Sequence, residues 1–100
     1  MPEKRRHFRK PVNMAVELTI ANGPRRPGTC HDLSLGGMSI ECTALARFND
    51  KVVVHIARTN PGGEIVVEGV VRWNQGSTMG VQFALMGARE TYALTELLSR

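Results

Sequence analysis

The stretch Val12-Asn13-Met14-Ala15-Val16-Glu17-Leu18-Thr19-Ile20 puts an apolar residue on every even position, with Asn13, Glu17 and Thr19 on odd ones. A period of two is the pattern of a strand buried on one face; a helix would spread the same residues around its whole circumference. Working outward, Asn22-Gly23-Pro24 breaks the run and Arg25-Arg26-Pro27-Gly28 completes a polar loop, so the second strand is expected from Thr29 to about Leu33. Gly36-Gly37 turns the chain, and Met38-Ser39-Ile40-Glu41-Cys42 alternates again as a third strand. Lys51 to Ala57 and Glu64 to Trp73 are rich in β-branched residues and flank Asn60-Pro61-Gly62-Gly63, which reads as a long hairpin. Asn74-Gln75-Gly76-Ser77 supplies another turn before a last strand from Met79 to Ala84. The connection Thr43 to Asp50 is open to two readings, a helical turn at Ala44-Leu45-Ala46 or a plain loop. Six short strands with regular turns predict a meander or a closed antiparallel barrel. Beyond Gly87 the period changes: Leu94, Leu97 and Leu98 recur at helical spacing, with Glu90 and Arg100 at the ends that suit the helix dipole. The expected class is therefore mainly β, a six-stranded antiparallel β-barrel with a C-terminal α-helix.

A chain of 100 residues makes one domain and buries about 65% of its unfolded surface, enough for one core without staples. Cys30 and Cys42 have no C-x-x-C spacing, and neither a secretory h-region nor a run of eighteen apolar residues is present. The expectation is a soluble cytoplasmic protein with reduced thiols and no membrane association. The net charge of +4 is local. Lys4, Arg5, Arg6, Arg9 and Lys10 against Glu3 place all of it in the first ten residues, and the other ninety are neutral. Residues 1–10 thus read as a flexible basic arm and 11–100 as the barrel with its helix. A positive arm on a neutral body fits a compact anionic partner better than an extended polyanion.

Two short segments carry the chemistry. Arg5-Arg6-His7-Phe8-Arg9 holds an arginine pair at R-x-x-x-R spacing, and Asp32-Leu33-Ser34-Leu35-Gly36-Gly37 holds a carboxylate, a hydroxyl and a glycine at D-x-S-x-x-G spacing. An arginine fork bonds phosphate, or the O6 and N7 acceptors of guanine, in bidentate fashion, while guanine N1–H and N2–H need an acceptor such as Asp32. Each segment also has a bland explanation. Basic termini are often solvated tails, and Asp and Ser before Gly-Gly are common turn residues. Their joint occurrence favours a guanine nucleotide.

At these residues the chain resembles the PilZ domains, bacterial receptors for the second messenger cyclic di-GMP. The resemblance rests on Arg5 and Arg9, on Asp32, Ser34 and Gly37, and on Gly69-Val70-Val71-Arg72-Trp73 followed by Gly80-Val81-Gln82-Phe83, which look like the closing strands of that domain. It runs from about Arg5 into the C-terminal helix. Lys10 departs from it, since an aliphatic residue often follows the second arginine. The resemblance implies a cyclic di-GMP site made by Arg5, Arg6, Arg9, Asp32, Ser34 and Gly37. Gly37 would allow a positive-φ turn or a close backbone approach. Lys4 and Trp73 are additional candidates, Lys4 to help hold a second ligand molecule and Trp73 to lie beside a base. No cofactor is implied beyond the ligand. The arm would order over the nucleotide and present a new surface to an effector protein.

Other classes fit less well. Cys30-His31-Asp32 has the residue types of a catalytic triad, but neighbours on a regular strand point to opposite faces, so no enzyme is expected. His7, His31 and His55 lack metal-ligand spacing. A nucleic-acid-binding β-barrel using the basic arm is the main alternative, although only five aromatics are present and they are scattered. A third reading is a protein-interaction adaptor that binds no nucleotide, for which the arginine pair has no evident purpose.

Overall fold

The computed structural model describes residues 9–43, 46–57 and 63–99. Among them are six strands, β1 (Lys10–Ile20), β2 (Arg26–Leu33), β3 (Gly37–Glu41), β4 (Lys51–Ile56), β5 (Ile65–Gln75) and β6 (Thr78–Phe83), and one helix, α1 (Ala88–Leu98). All pairings are antiparallel, and the ring runs β1-β2-β3-β6-β5-β4 with β4 returning to β1. The sheet is therefore a closed barrel rather than a simple meander. β3 pairs with β6, so the connection after β3 must carry the chain to the opposite side of the ring before β4 begins. Its described end is a tight turn: Arg47 N–H donates to Asp50 Oδ2 at 2.8 Å, Asp50 N–H donates to Arg47 O at 3.0 Å, and Asn49 has φ +72°. Asn tolerates that left-handed conformation better than most residues. Ala44 and Leu45, the centre of the ambiguous segment, lie outside the described residues.

The alternation read from β1 is observed, with Val16 and Leu18 buried and Glu17 exposed. Leu18, Met38, Ile40, Val54 and Ile56 are fully enclosed in the barrel, each stabilising it by about 1.5–3 kcal/mol relative to exposure. Leu94 and Ala93 of α1 are buried with them, and Met86, Leu97 and Leu98 pack against the same core. The helix thus stoppers the barrel. Glu90 lies in its first turn. Arg100 lies outside the described residues, and at the C-terminal end Lys10 Nζ instead donates to Leu98 O at 3.3 Å. The unusual lysine after the second arginine therefore binds a helix-end carbonyl, where a cation is favoured.

Three boundaries differ most from the sequence reading, one being the end of β5, which runs on through Asn74 and Gln75, expected in the turn, because they pair with Met79 and Thr78. The first turn is one residue earlier than Asn22-Gly23-Pro24: Ala21 and Asn22 take φ +52° and +62°, and Gly23 N–H donates to Ile20 O at 2.9 Å. Ala21 N–H is held by Lys51 O at 2.8 Å, so pairing with β4 fixes the chain up to the turn. β2 also begins at Arg26, through Pro27 and Gly28, because β1 extends far enough to pair with them. Pro27 is tolerated because β3 starts pairing only at Thr29, which leaves Pro27 on a locally open edge.

Three interruptions of the ladder decide what the outer wall displays. The register shifts between Pro11 and Met14 on β1, between Cys30 and Asp32 on β2, and between Val71 and Trp73 on β5. On β2 strict alternation would send Asp32 inward with Cys30. His31 is the extra residue, and after it Leu33 is buried while Asp32 is partly exposed. On β5 Arg72 plays the same part, and Trp73 turns outward although Val71 is buried. The β2 and β5 bulges change the face that the following side chains present, whereas alternation along β1 is kept through its own shift.

Candidate functional site

The two outward-flipped side chains share a cavity. Arg9, Pro11, His31, Asp32 and Trp73 line a volume of about 420 Å³ on the outer wall, within the ~300–1,000 Å³ typical of small-molecule sites. Arg9, just before β1, pairs through Nη1 with Asp32 Oδ1. The side chains are 30% and 35% exposed. Half-solvated pairs of this kind contribute only about 0–1 kcal/mol, so an incoming ligand can rearrange this one at small cost. The second arginine of the R-x-x-x-R element and the carboxylate of D-x-S-x-x-G, 23 residues apart, thus meet in space.

His31 and Pro11 were not expected in the site. His31 projects outward as the neighbour of buried Cys30, the bulge brings Asp32 to the same side, and His31 bonds Glu41 Oε1 through Nε2 at 2.8 Å. Nothing in a single sequence announces a bulge at this position. The bulge also changes the argument about Cys30-His31-Asp32, since His31 and Asp32 lie on the same side of the wall. Cys30 is the residue that is separated. It is fully buried, its Sγ lies 3.1 Å from the Asp32 carbonyl oxygen, and burial, reinforced by the Asp32 charge, pushes its thiol up from 9.0 to about 12. A thiol held protonated inside the barrel supplies no nucleophile. Cys42 is likewise buried and unbridged.

Ser34 and Gly37 do not line the cavity; they shape the turn beside it. The Ser34 hydroxyl, 4% exposed, accepts from the backbone N–H of Gly36 (3.0 Å) and Gly37 (3.2 Å), while Ser34 N–H donates to Gly37 O at 2.9 Å. Of the two reasons for glycine at position 37, close approach is the one observed. A Cβ there would stand 2.3 Å from the Val81 carbonyl oxygen, and Gly37 does not have positive φ. Arg5, Arg6 and Lys4 lie outside the described residues.

Trp73 is 44% exposed and forms the wall of the cavity opposite Arg9 and Asp32. Its bulge is braced on the far side. Arg72 Nε donates to Gln82 Oε1 at 2.5 Å, the Arg72 guanidinium lies 5.9 Å above the Phe48 ring, and Asn74 Nδ2 donates to Ala46 O at 2.5 Å. Among the described residues, no group of three or more His, Cys, Asp or Glu side chains is placed to hold a metal ion, and no helix is long and apolar enough to cross a membrane.

The PilZ domain family model matches residues 3–99. The chain belongs to the PilZ domain family. Solved structures agree on the fold. The PilZ domain of CeSA from a cellulose-synthesizing bacterium is 18% identical, with a TM-score of 0.73 over 92% of this chain and 95% of that one. The PilZ domain of YcgR from Escherichia coli, solved with c-di-GMP, is 13% identical, with a TM-score of 0.77 over 97% and 90%. The Bacillus subtilis inhibitor of motility MotI/DgrA is 16% identical, with a TM-score of 0.79 over 99% of this chain; this chain spans about half of that one, 51%. No curated protein sequence matches the chain.

Two outcomes follow for this PilZ domain. Gly37→Ala forces a methyl group against the β6 backbone, which cannot yield as a flexible side chain would, and is expected to lower stability in a denaturant melt by about 1–3 kcal/mol. Stability should also fall with alkali. The Cys30 thiol is protonated in both states below pH 9.0, and between there and about 12 only the unfolded chain loses the proton. Unfolding is therefore favoured progressively across that window. Melts at pH 8 and pH 10.5 should show a loss that shrinks in Cys30→Ala, measured against that variant at pH 8; an equal loss in both proteins would refute this assignment.

Proposed function

We propose that this PilZ domain is a cyclic di-GMP receptor that passes the level of the messenger to a partner protein. The observation that carries the reading is the convergence on one solvent-open cavity of Arg9 from just before β1, Asp32 from β2 and Trp73 from β5. Cyclic di-GMP is a dianion with two guanines, so a receptor must neutralise phosphate and reject adenine. Arg9, joined by Arg5 and Arg6, supplies planar forks for phosphate and for guanine O6 and N7. Asp32 accepts from guanine N1–H and N2–H. Adenine would leave that carboxylate unpaired, which is where selectivity arises. Ser34 and Gly37 act on the ligand mainly by holding the turn that follows Asp32. Trp73 offers an aromatic face to a base. The YcgR PilZ domain, solved with c-di-GMP, shares this fold and supports the choice of ligand.

Transmission rests on the basic segment. Its charge needs a counter-ion, and the nucleotide phosphates provide one at the cavity that Arg9 already lines. Binding draws the residues that precede Arg9 onto the cavity, Lys10 already belonging to β1, and makes a composite surface of arm, ligand and barrel for an effector protein to read. Lys4, next to Arg5, adds charge that favours a second stacked ligand molecule.

Calorimetric titration with cyclic di-GMP, using GTP and cyclic di-AMP as controls, tests the receptor reading. Arg9→Ala removes charge-assisted bonds worth ~1.5–3 kcal/mol, so affinity should drop roughly ten- to hundredfold. Absence of heat with the wild type, or equal affinity for cyclic di-AMP, would refute it. Limited trypsin digestion tests the arm: saturating ligand should slow cleavage at Arg5 and Arg6, and equal rates would rule the arm out as the transmitter.

A further inference from the structure

The outer wall contains a row of residues paired across five strands: Pro11 with Asp32, Asp32 with Ser39, Ser39 with Gly80, and Gly80 with Trp73. Neighbouring strands lie ~4.8 Å apart, so Asp32 and Trp73 stand roughly 14 Å from each other along the curved wall. A tryptophan pointing straight out at that distance would not share a cavity with Asp32. Trp73 nevertheless lines the same cavity as Asp32 and Arg9. The residues between them, Ser39 and Gly80, are small, and the indole folds down onto the second. A Cβ at Gly80 would stand 2.1 Å from Trp73 Nε1, 2.4 Å from Cε2 and 2.7 Å from Cδ1. Three atoms of one rigid ring system occupy the place of that methyl group, so the ring must move as a unit. Gly80 has no positive φ. Its backbone could accept any residue, and the indole is what demands glycine.

We propose that Gly80 is a positioning residue of the nucleotide site, the seat that lays the Trp73 indole across β6 so that its face meets a base held by Asp32 and Arg9. The proposal rests on the receptor reading and adds a specificity determinant that touches no ligand. Any side chain at position 80 tips the indole away from the wall, removes the far side of the cavity and leaves the arginine–carboxylate pair in place. The fold should tolerate this, because the indole is 44% exposed and can rotate into solvent.

The experiment uses wild type, Gly80→Ala, Trp73→Ala and the double variant, in which the added methyl group meets no indole and folding is protected. Trp73 is the single tryptophan of the chain, so emission and acrylamide quenching report on it alone. In Gly80→Ala without ligand, the emission should shift to the red and quenching should rise. Affinity for cyclic di-GMP should fall about fivefold to a hundredfold, the range for losing one base–aromatic stack. In the Trp73→Ala background the same change should alter affinity less than twofold. Unchanged emission in Gly80→Ala would overturn the proposal, as would an affinity loss of the same size with and without Trp73. Wild type that gives no heat with cyclic di-GMP would refute the receptor reading, while the emission arm would still decide whether Gly80 seats the indole.

Discussion

Closure of the sheet is the constraint on which the rest depends. With β4 returned to β1, every strand of the barrel has a neighbour on both sides, and alternation commits every second side chain to a filled interior. A closed wall of regular strands presents isolated outward side chains at fixed spacing. The bulges are where this changes. The extra residues His31 and Arg72 reverse the parity of Asp32 and Trp73 and send to the outer wall a carboxylate and an indole that regular pairing would have put in the core. The site is a product of irregularity in an otherwise regular barrel.

Charge is arranged to match. Arg25 is held by Glu17 and Glu64, and its pKa is raised chiefly by the Glu17 hydrogen bond; Arg72 is tied to Gln82 and Asn49. These arginines brace neighbouring strands. Arg9 is placed differently: its partner Asp32 lies in the cavity, where the pair is half solvated and open to exchange for a ligand. The adjoining turn is rigid by contrast, with the Ser34 hydroxyl saturated by backbone and Gly37 pressed against β6. A firm frame around an exchangeable ion pair is a sound arrangement for a receptor, because little ordering is required of the frame on binding.

The strands were legible because β1 and β3 alternate apolar and polar residues in sequence and β4 and β5 are rich in β-branched residues, and the helix because Leu94, Leu97 and Leu98 change the period. Pairing order was not legible. Nothing local in β3 chooses β6 over β4 as its neighbour. The polar, Pro- and Gly-containing start of β2 reads as loop, because its strand state is imposed by the length of β1. Within the site, Arg9 and Asp32 were visible from residue type and spacing. His31 and Pro11 were not, since an outward position does not say which neighbours a side chain meets, and the register shift that turns Asp32 out beside them leaves no mark on composition.

The amino-acid sequence by itself determined which residues carry guanine and phosphate chemistry, the number and approximate limits of the strands, and the family. Those properties reside in residue type and short-range spacing. Tertiary structure alone decided that Asp32 and Trp73 face outward, that Ser34 spends its hydroxyl on its own turn, and that Gly80 lies under an indole. The reason is physical. The direction of a side chain on a strand is set by the hydrogen-bond register with its neighbours, and a shift of one residue reverses it without altering a single local preference.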